Sequence, residues 1–192
     1  KEKLPAVPVV VVDENMADGF KSLLQCHGIG GLRPNILLFG WSNDPKNTDT
    51  FSHILNLVRR MKYSCLILSS NREEDSWESP SGAINIWWTD EKNGAMMLLL
   101  AHLLKENREW RDCPLKILRP VPLKADVENV KKEMKNIIND ERIEAEIVVL
   151  PTDDPLSAIE SAISPSAVLF AGFEPDKEKP AAALMPFMKQ IV

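Results

Sequence analysis

A strand that ends in two adjacent tryptophans and leads into an apolar helix constrains this fold more than any other segment. The strand is predicted at residues 83–88, and the helix at residues 95–105, just after Gly94. Successive residues of a strand point to opposite faces, so Trp87 and Trp88 need cover on two sides. Each tryptophan also carries a large apolar surface and an N–H group that seeks a partner. We therefore expect at least one of the pair in the core.

The helix that follows Gly94 is apolar nearly all round, which indicates burial on several sides. The favoured interpretation is a central helix between the sheet and its neighbours. The alternative, that one side of this helix packs against a second copy or a loop of a membrane domain, stays open. A partner surface is also the less favoured interpretation of three tryptophans, Trp41, Trp77 and Trp88.

The rest of the chain alternates short apolar strands with amphipathic helices. Further strands are predicted at 8–12, 35–39, 64–69, 115–118, 147–150 and 167–173. Further helices are predicted at 16–27, 51–61, 126–139, 155–163 and 180–191. This alternation predicts an α/β fold, with right-handed crossovers and a mostly parallel sheet that has helices on both faces.

Two features of the element order bear on the domain organisation. The strand at 83–88 follows the strand at 64–69 with no helix between, which predicts an antiparallel pair or a change of sheet edge. The elements from residue 115 onward partly repeat those from 8 to 69. We expect an N-terminal α/β half, 1–112, and a pseudo-equivalent C-terminal half, 113–192, either separate or as one continuous domain.

The bulk composition is that of an ordinary globular protein. Of 192 residues, 44% are hydrophobic and 27% are charged, and the net charge of −5 argues against nucleic-acid binding. No apolar run approaches the roughly 18 residues that cross a bilayer. Because the chain starts at Lys1 without a signal-peptide pattern, we expect it to be part of something longer. The three cysteines are an odd number, widely spaced, and two lie in apolar elements, so we expect a reducing compartment with buried thiols. Because the cysteines and histidines have no zinc-ligand spacing, we expect no metal.

None of the polar clusters has the pattern of a catalytic or cofactor site. The glycines at 28–31 follow a helix and precede a strand, which favours a helix-ending turn over a dinucleotide-binding loop. Asp153 and Asp154 precede Pro155 and are expected to cap a helix. The acidic residues 73–75 are expected in a solvated loop. With no nucleophile motif in the sequence, we expect neither an enzyme nor a cofactor.

Three segments in order resemble the cytosolic C-terminal domain of cation–chloride cotransporters. Residues 31–41 resemble that family's G-x-x-[KR]-P-N-x-[LV] strand, and residues 83–104 its I-D-[VI]-W-W block with the helix that follows. Residues 110–118 resemble its W-[KR]-x-C-x-[IL]-[KR] strand. The motif positions present here are Arg33, Pro34, Asn35, Trp87, Trp88, Gly94, Trp110 and Cys113. The resemblance rests on motifs over roughly 15–120, and on element order alone over 121–192.

The resemblance implies a membrane transporter upstream of Lys1 that moves chloride together with Na⁺, K⁺ or both. It implies a regulatory, assembly or trafficking role for this domain on the cytoplasmic face of the cell membrane, without binding of the transported ions. It implies a homodimer of the full-length protein. The family's domain is itself distantly similar to universal stress proteins, which agrees with the predicted sheet.

The sequence departs from animal members of that family in ways that concern regulation. The turn at 89–94 lacks the usual leucine and glycines, the loop at 71–82 is short, and no serine- and threonine-rich segment occurs. These departures favour a prokaryotic origin without phosphorylation of the animal kind. The alternative function is a nucleotide-binding sensor of the universal-stress-protein type. Such proteins carry a glycine-rich phosphate loop, whereas residues 164–176 offer only Gly172.

Overall fold

The structure, a computed structural model of the chain, describes residues 7–28, 34–42, 44–70, 80–140, 143–163, 165–173 and 188. The chain divides into two units. The first comprises residues 1–71 with 175–186 and 192, and the second comprises residues 72–174 with 187–191. This division differs from the expected division at residue 112, because strands from both sides of that position pair in one sheet.

The described residues of the first unit form two helices on one face of a two-stranded parallel sheet. Its elements are α1 (Met16–Cys26), β1 (Ile36–Gly40), a short 3-10 helix (Pro45–Asn47), α2 (Thr48–Arg60) and β2 (Ser64–Leu68). The sequence offers Asp13 and Asn15 as caps of α1, and Asn15 takes this role, since its side-chain oxygen accepts from the backbone N–H of Asp18 at 2.9 Å. Leu24, Ile54 and Val58 form the buried core against Leu37, Phe39 and Cys65 of the sheet.

The strand predicted at residues 8–12 is wrong. This segment has no strand pairing, and its valines are exposed, with Val10 at 87% and Val12 at 92% of their full accessible surface. A run of β-branched residues needs a neighbouring strand to satisfy its backbone groups. In the described part of the first unit, β1 and β2 pair with each other and not with residues 8–12, so this segment has no neighbouring strand.

The second unit is a four-stranded parallel sheet with helices on both faces. Its elements are β3 (Ala83–Trp87), α3 (Glu91–Glu106), β4 (Leu115–Val121), α4 (Val127–Asp140), β5 (Glu146–Pro151), α5 (Pro155–Ala162) and β6 (Ser166–Ala171). The strand order is β5-β4-β3-β6, and every ladder is parallel. The α/β class and the parallel pairing predicted from the alternation are therefore confirmed.

The two faces of this sheet bury different clusters. Residues of α3 and α4 cover Ile84, Ile86 and Ile117 on one face. On the other face, Ile159 of α5 packs with Trp87 and Leu118. The break expected between the strands at 64–69 and 83–88 is neither an antiparallel pair nor a change of edge, because β2 and β3 lie in different sheets. The helix predicted at 180–191 lies outside the described residues, apart from Met188.

The C-terminus of α2 carries the one described non-glycine residue with a left-handed backbone, Lys62, at φ 60°. The N–H of Lys62 donates to the carbonyl of Arg59 at 3.1 Å, and the N–H of Tyr63 donates to that of Val58 at 3.2 Å. This is the Schellman arrangement, in which glycine is usual because a Cβ is strained there.

Replacing Lys62 with Gly should raise the free energy of unfolding by about 0.5–1 kcal/mol, since the strain of the Cβ disappears while both hydrogen bonds remain. Urea denaturation followed by circular dichroism measures this. The control is Lys62→Ala, which keeps the Cβ and should gain nothing. An equal gain in both variants would show that the lysine side chain, not the backbone, sets the effect.

Candidate functional site

The paired tryptophans lie on opposite faces of the second unit's sheet, and both are buried. Trp87 is 2% exposed and packs with Leu118 and Ile159, whereas Trp88 is 3% exposed and belongs to the cluster under α3 and α4. The core interpretation holds for both side chains. The less favoured interpretation of Trp88 as a partner surface is wrong, because its ring is covered within its own unit.

A close contact between Trp88 and Gly94 joins the end of β3 to the start of α3. A Cβ built on Gly94 would lie 2.7 Å from Cε2 of Trp88, and closer still to two other atoms of the indole ring. Only a residue without a Cβ lets the first turn of the helix settle over the ring at this distance. Gly94 is therefore a packing residue, and its position is dictated by the second tryptophan.

Side-chain hydrogen bonds also stabilise this corner, where β3 ends at Trp87 and α3 begins at Glu91. The Arg119 guanidinium on β4 donates to the carbonyl oxygens of Trp88, at 2.9 Å, and of Thr89. The Asp90 carboxylate caps α3 by accepting from the backbone N–H of Asn93 at 3.3 Å. The carbonyls that end β3 and a backbone donor that begins α3 are thus satisfied by side chains of the same unit.

This corner is also the place where a parallel α/β sheet usually binds a ligand. The chain leaves β3 for β4 on one side and returns to β6 on the other, which makes a topological switch point at the carboxyl ends of β3 and β6. Here Asn93 fills the space beside β6, since a Cβ on Gly172 would lie 2.9 Å from its Nδ2. With Asp90 capping the helix, the usual phosphate position is occupied by protein side chains.

The other described motif residues make packing or backbone contacts, each within its own unit. Trp110 is half-buried and packs against the cluster under α3 and α4. Cys113 is buried, with its Sγ 3.9 Å from the carbonyl oxygen of Pro80. Pro34 and Asn35 belong to the first unit, where the Asn35 carbonyl accepts from the N–H of Ser64 at 2.9 Å. Arg33 lies outside the described residues.

Trp41 and Trp77 are the two remaining interface candidates. Trp41 is half-buried, and its indole ring lies edge-on to the phenyl ring of Phe51, with the ring centroids 6.0 Å apart. The backbone N–H of Trp41 donates to the carbonyl oxygen of Leu68 at 2.7 Å. A role for Trp41 in an interface stays a proposal. Trp77 lies outside the described residues.

Among the described acidic and thiol groups, Asp154 lies at a helix N-terminus and Cys65 is partly buried. Asp154 caps α5 as expected, accepting from the backbone N–H of Ser157 at 3.2 Å. Within the described ranges, no three His, Cys, Asp or Glu residues are grouped as metal ligands would be. Burial raises the pKa of the Cys65 thiol to about 11, so this thiol keeps its proton at neutral pH and is a poor nucleophile. The acidic residues 73–75 lie outside the described residues.

Sequence reasoning missed the functional interest of Asn85. Its side chain is only 1% exposed in the middle of β3, and it is a buried polar residue among apolar neighbours. The available signal was a single amide inside the run Ala-Ile-Asn-Ile-Trp, at the position where the cotransporter motif has Asp. A polar group in a central strand needs hydrogen-bond partners, and one of its atoms lacks them here.

Comparison with known proteins points to one family. The family model described as "Solute carrier family 12" matches residues 1–77 and 59–164. The chain is 26% identical over 156 residues to "Cation-chloride cotransporter 1" of Arabidopsis thaliana, and 23% identical over 214 residues to the protein of that name from Oryza sativa subsp. japonica. These matches cover 78% and 100% of the chain, but it spans only 16% and 22% of the respective relatives.

A solved structure shares the fold. It is described as the cytoplasmic domain of a prokaryotic cation chloride cotransporter and superposes with a TM-score of 0.64 at 17% sequence identity. The match covers 92% of this chain and 66% of that one. Among the helices described here, none has the length and apolarity that crossing a bilayer requires.

Replacing Gly94 with Ala should lower the free energy of unfolding by about 1–3 kcal/mol, because the added methyl group would overlap the Trp88 ring. Gly19→Ala in α1 is the matched control. A Cβ there would approach only Cβ of the exposed Asp13, at 3.2 Å, so this change should be neutral or stabilise by up to about 1 kcal/mol. Denaturant titration of both variants makes the comparison, and equal effects would contradict the proposed contact.

The isolated chain should not bind ATP or ADP tightly, because side chains occupy the switch point and Asp90 caps the helix that would face the phosphates. Isothermal titration calorimetry with each nucleotide in the presence of Mg²⁺ tests this expectation. A dissociation constant in the low micromolar range would contradict it and would favour the nucleotide-sensor alternative.

Proposed function

Because the chain belongs to solute carrier family 12, we propose that it is a cytosolic domain of a cation–chloride cotransporter and acts there in regulation or assembly. The observation that carries the proposal is the likeness of fold over 92% of the chain to a cytoplasmic domain of that kind. The names of the plant relatives agree with it. The transporter would move chloride together with Na⁺, K⁺ or both, in a membrane part of the same protein.

The construction of the second unit supports a regulatory rather than an ion-binding role. Its sheet is filled at the carboxyl end by Asn93 and Asp90, and apart from Asn85 its buried core is apolar on both faces. Ion binding needs several converging oxygen ligands, whereas the described carboxylates cap helices or face solvent. The transported ions would therefore bind in the membrane part.

The surface of α3 supports a role in assembly. Leu99 and Leu103 lie one turn apart on this helix and are 54% and 56% exposed, although Leu98 and Ala101 beside them are buried. Apolar side chains paired at this spacing form a ridge that suits contact with another protein surface. This ridge is our candidate contact surface on the second unit, to the transporter or to a second copy, and the half-buried Trp41 is a separate candidate on the first unit.

Chloride uptake into proteoliposomes that contain the full-length transporter tests the proposal. The destabilising change Gly94→Ala should lower the uptake rate severalfold and leave the requirement for Na⁺ or K⁺ unchanged, because the domain would act on the membrane part without binding the ions. Gly19→Ala is the control and should transport at the parental rate. Absence of chloride uptake by the parental protein would refute the cotransporter assignment, and an altered cation requirement would refute the regulatory role.

The isolated chain should be a monomer, or a weak monomer–dimer equilibrium, at micromolar concentration. Its net charge of −5 opposes association, while tethering to a dimeric membrane part would raise the effective concentration of two domains to roughly millimolar. Sedimentation velocity over a range of concentrations measures this. A dimer whose sedimentation coefficient stays constant on dilution would place the assembly contacts within the chain itself.

A further inference from the structure

A cavity of about 560 Å³ lies in the second unit, at the amino ends of β3 and β4. This volume falls in the range of small-molecule sites, and polar and apolar groups contribute comparably to the lining of the cavity. Ala83, Cys113 and Ile163 are among its apolar lining residues, and Asn85 is its buried polar one. The cavity is at the opposite end of the strands from the filled switch point, so it does not belong to the corner described above.

The Asn85 side chain has a fixed orientation. Its Nδ2 donates to the carbonyl oxygen of Ile163 at 3.2 Å and to Oγ of Ser166 at 3.0 Å. The Ile163 carbonyl can only accept a hydrogen bond, and the Ser166 hydroxyl donates its one hydrogen to the carbonyl oxygen of Val168 at 3.1 Å. Exchanging the amide oxygen and nitrogen would set two acceptors against each other, so the oxygen of Asn85 must point away from these partners.

The Oδ1 atom of Asn85 is buried and has no hydrogen-bond partner in the described part of the chain. Such an orphaned acceptor is costly in a folded protein, and it is satisfied when a donor binds. Asn85 also lines the cavity, and we take a molecule bound against its side chain as the source of this donor. The missing group is therefore an N–H or O–H.

A second polar group stands beside Asn85 on the neighbouring strand. Asn85 and Lys116 are paired in the parallel register of β3 and β4, so their side chains start on the same face of the sheet. Lys116 also lines the cavity, and its ammonium group lies 3.3 Å from a carboxylate oxygen of Glu146. The half-exposed ammonium has three hydrogens, so it can keep this ion pair and still donate to a ligand.

The charges around the cavity favour an uncharged ligand. Arg108 and Lys116 are balanced by Glu109 and Asp112 among the lining residues. An ionised ligand group next to the buried Asn85 would lose its hydration without a counter-ion in contact. The suitable ligand is neutral, with an N–H group for Asn85, an acceptor for Lys116 and an apolar body for the cavity wall.

We propose that this cavity is a binding site for a small uncharged carboxamide, whose N–H donates to Oδ1 of Asn85 and whose carbonyl oxygen accepts from Lys116. A primary amide presents both groups on adjacent atoms, which matches two side chains that start side by side on paired strands. The site goes beyond the transporter function proposed above and does not depend on it. It would give the domain a small-molecule input.

The test is a titration of the ¹⁵N-labelled 192-residue chain with benzamide, followed by NMR. Acetophenone is the matched control, because it has the same ring and carbonyl but no N–H. We expect benzamide to shift the side-chain amide of Asn85 and the backbone amides of Ala83 and Lys116, with a dissociation constant on the order of 1 mM. Acetophenone should bind about tenfold more weakly, since it cannot satisfy Oδ1.

Equal binding of the two compounds would overturn the proposal, because the cavity would then be a merely apolar one. No shift at these amides with benzamide would also overturn it, and would leave water as the partner of Oδ1. The variant Lys116→Met keeps the apolar stem of an exposed side chain and should weaken benzamide severalfold. Glu146→Gln removes the ion-pair partner and should not weaken it. Unchanged benzamide affinity in Lys116→Met would refute the assignment of the carbonyl partner.

Discussion

The close contact between the Trp88 ring and Gly94 sets the geometry on which the second unit depends. The ring lies under the first turn of α3, so the helix can start within a few residues of the strand and still cover the sheet. From this start, α3 buries Met97, Leu98 and Ala101 against β3 and β4. Trp87, on the other face, packs with α5. One pair of adjacent residues therefore ties both helical layers to the central strand.

The same contact explains why this sheet differs from the nucleotide-binding sheets that its strand order resembles. In those sheets a glycine-rich turn leaves room at the switch point for a phosphate. Here the turn carries an indole ring, a capping carboxylate and Asn93 in that space. These side chains pack the corner, where a cavity of about 180 Å³ remains beside Trp88, and a larger one of about 560 Å³ lies at the amino ends of the strands. This arrangement agrees with the regulatory or assembly role that we propose for the domain.

The sequence predicted those elements best whose stabilisation is local or lies within the second unit. The helical stripe of α4 and the buried run of β4 needed only periodicity, and the caps Asn15 and Asp154 needed only the preference of their side chains for helix N-termini. The strand at 8–12 failed because five apolar residues specify a strand only when another strand lies beside them. Neither the backbone strain at Lys62 nor the fit of Gly94 to Trp88 can be derived from periodicity, since each depends on coordinates in space. Asn85 was passed over because a single amide in an apolar run does not reveal which of its atoms lacks a partner.

A double-mutant cycle on Trp88 and Gly94 tests the central contact most directly. The free energy of unfolding would be measured by urea denaturation for the parental chain, Gly94→Ala, Trp88→Leu and the double variant. If the methyl group at position 94 is harmful because it meets the indole ring, it should cost at least about 1 kcal/mol less when leucine replaces Trp88. We expect this non-additivity. If the two changes in the free energy of unfolding are additive to within about 0.3–0.5 kcal/mol, the two residues act independently. That result would contradict a close contact between Trp88 and Gly94 as the basis of the second unit's geometry.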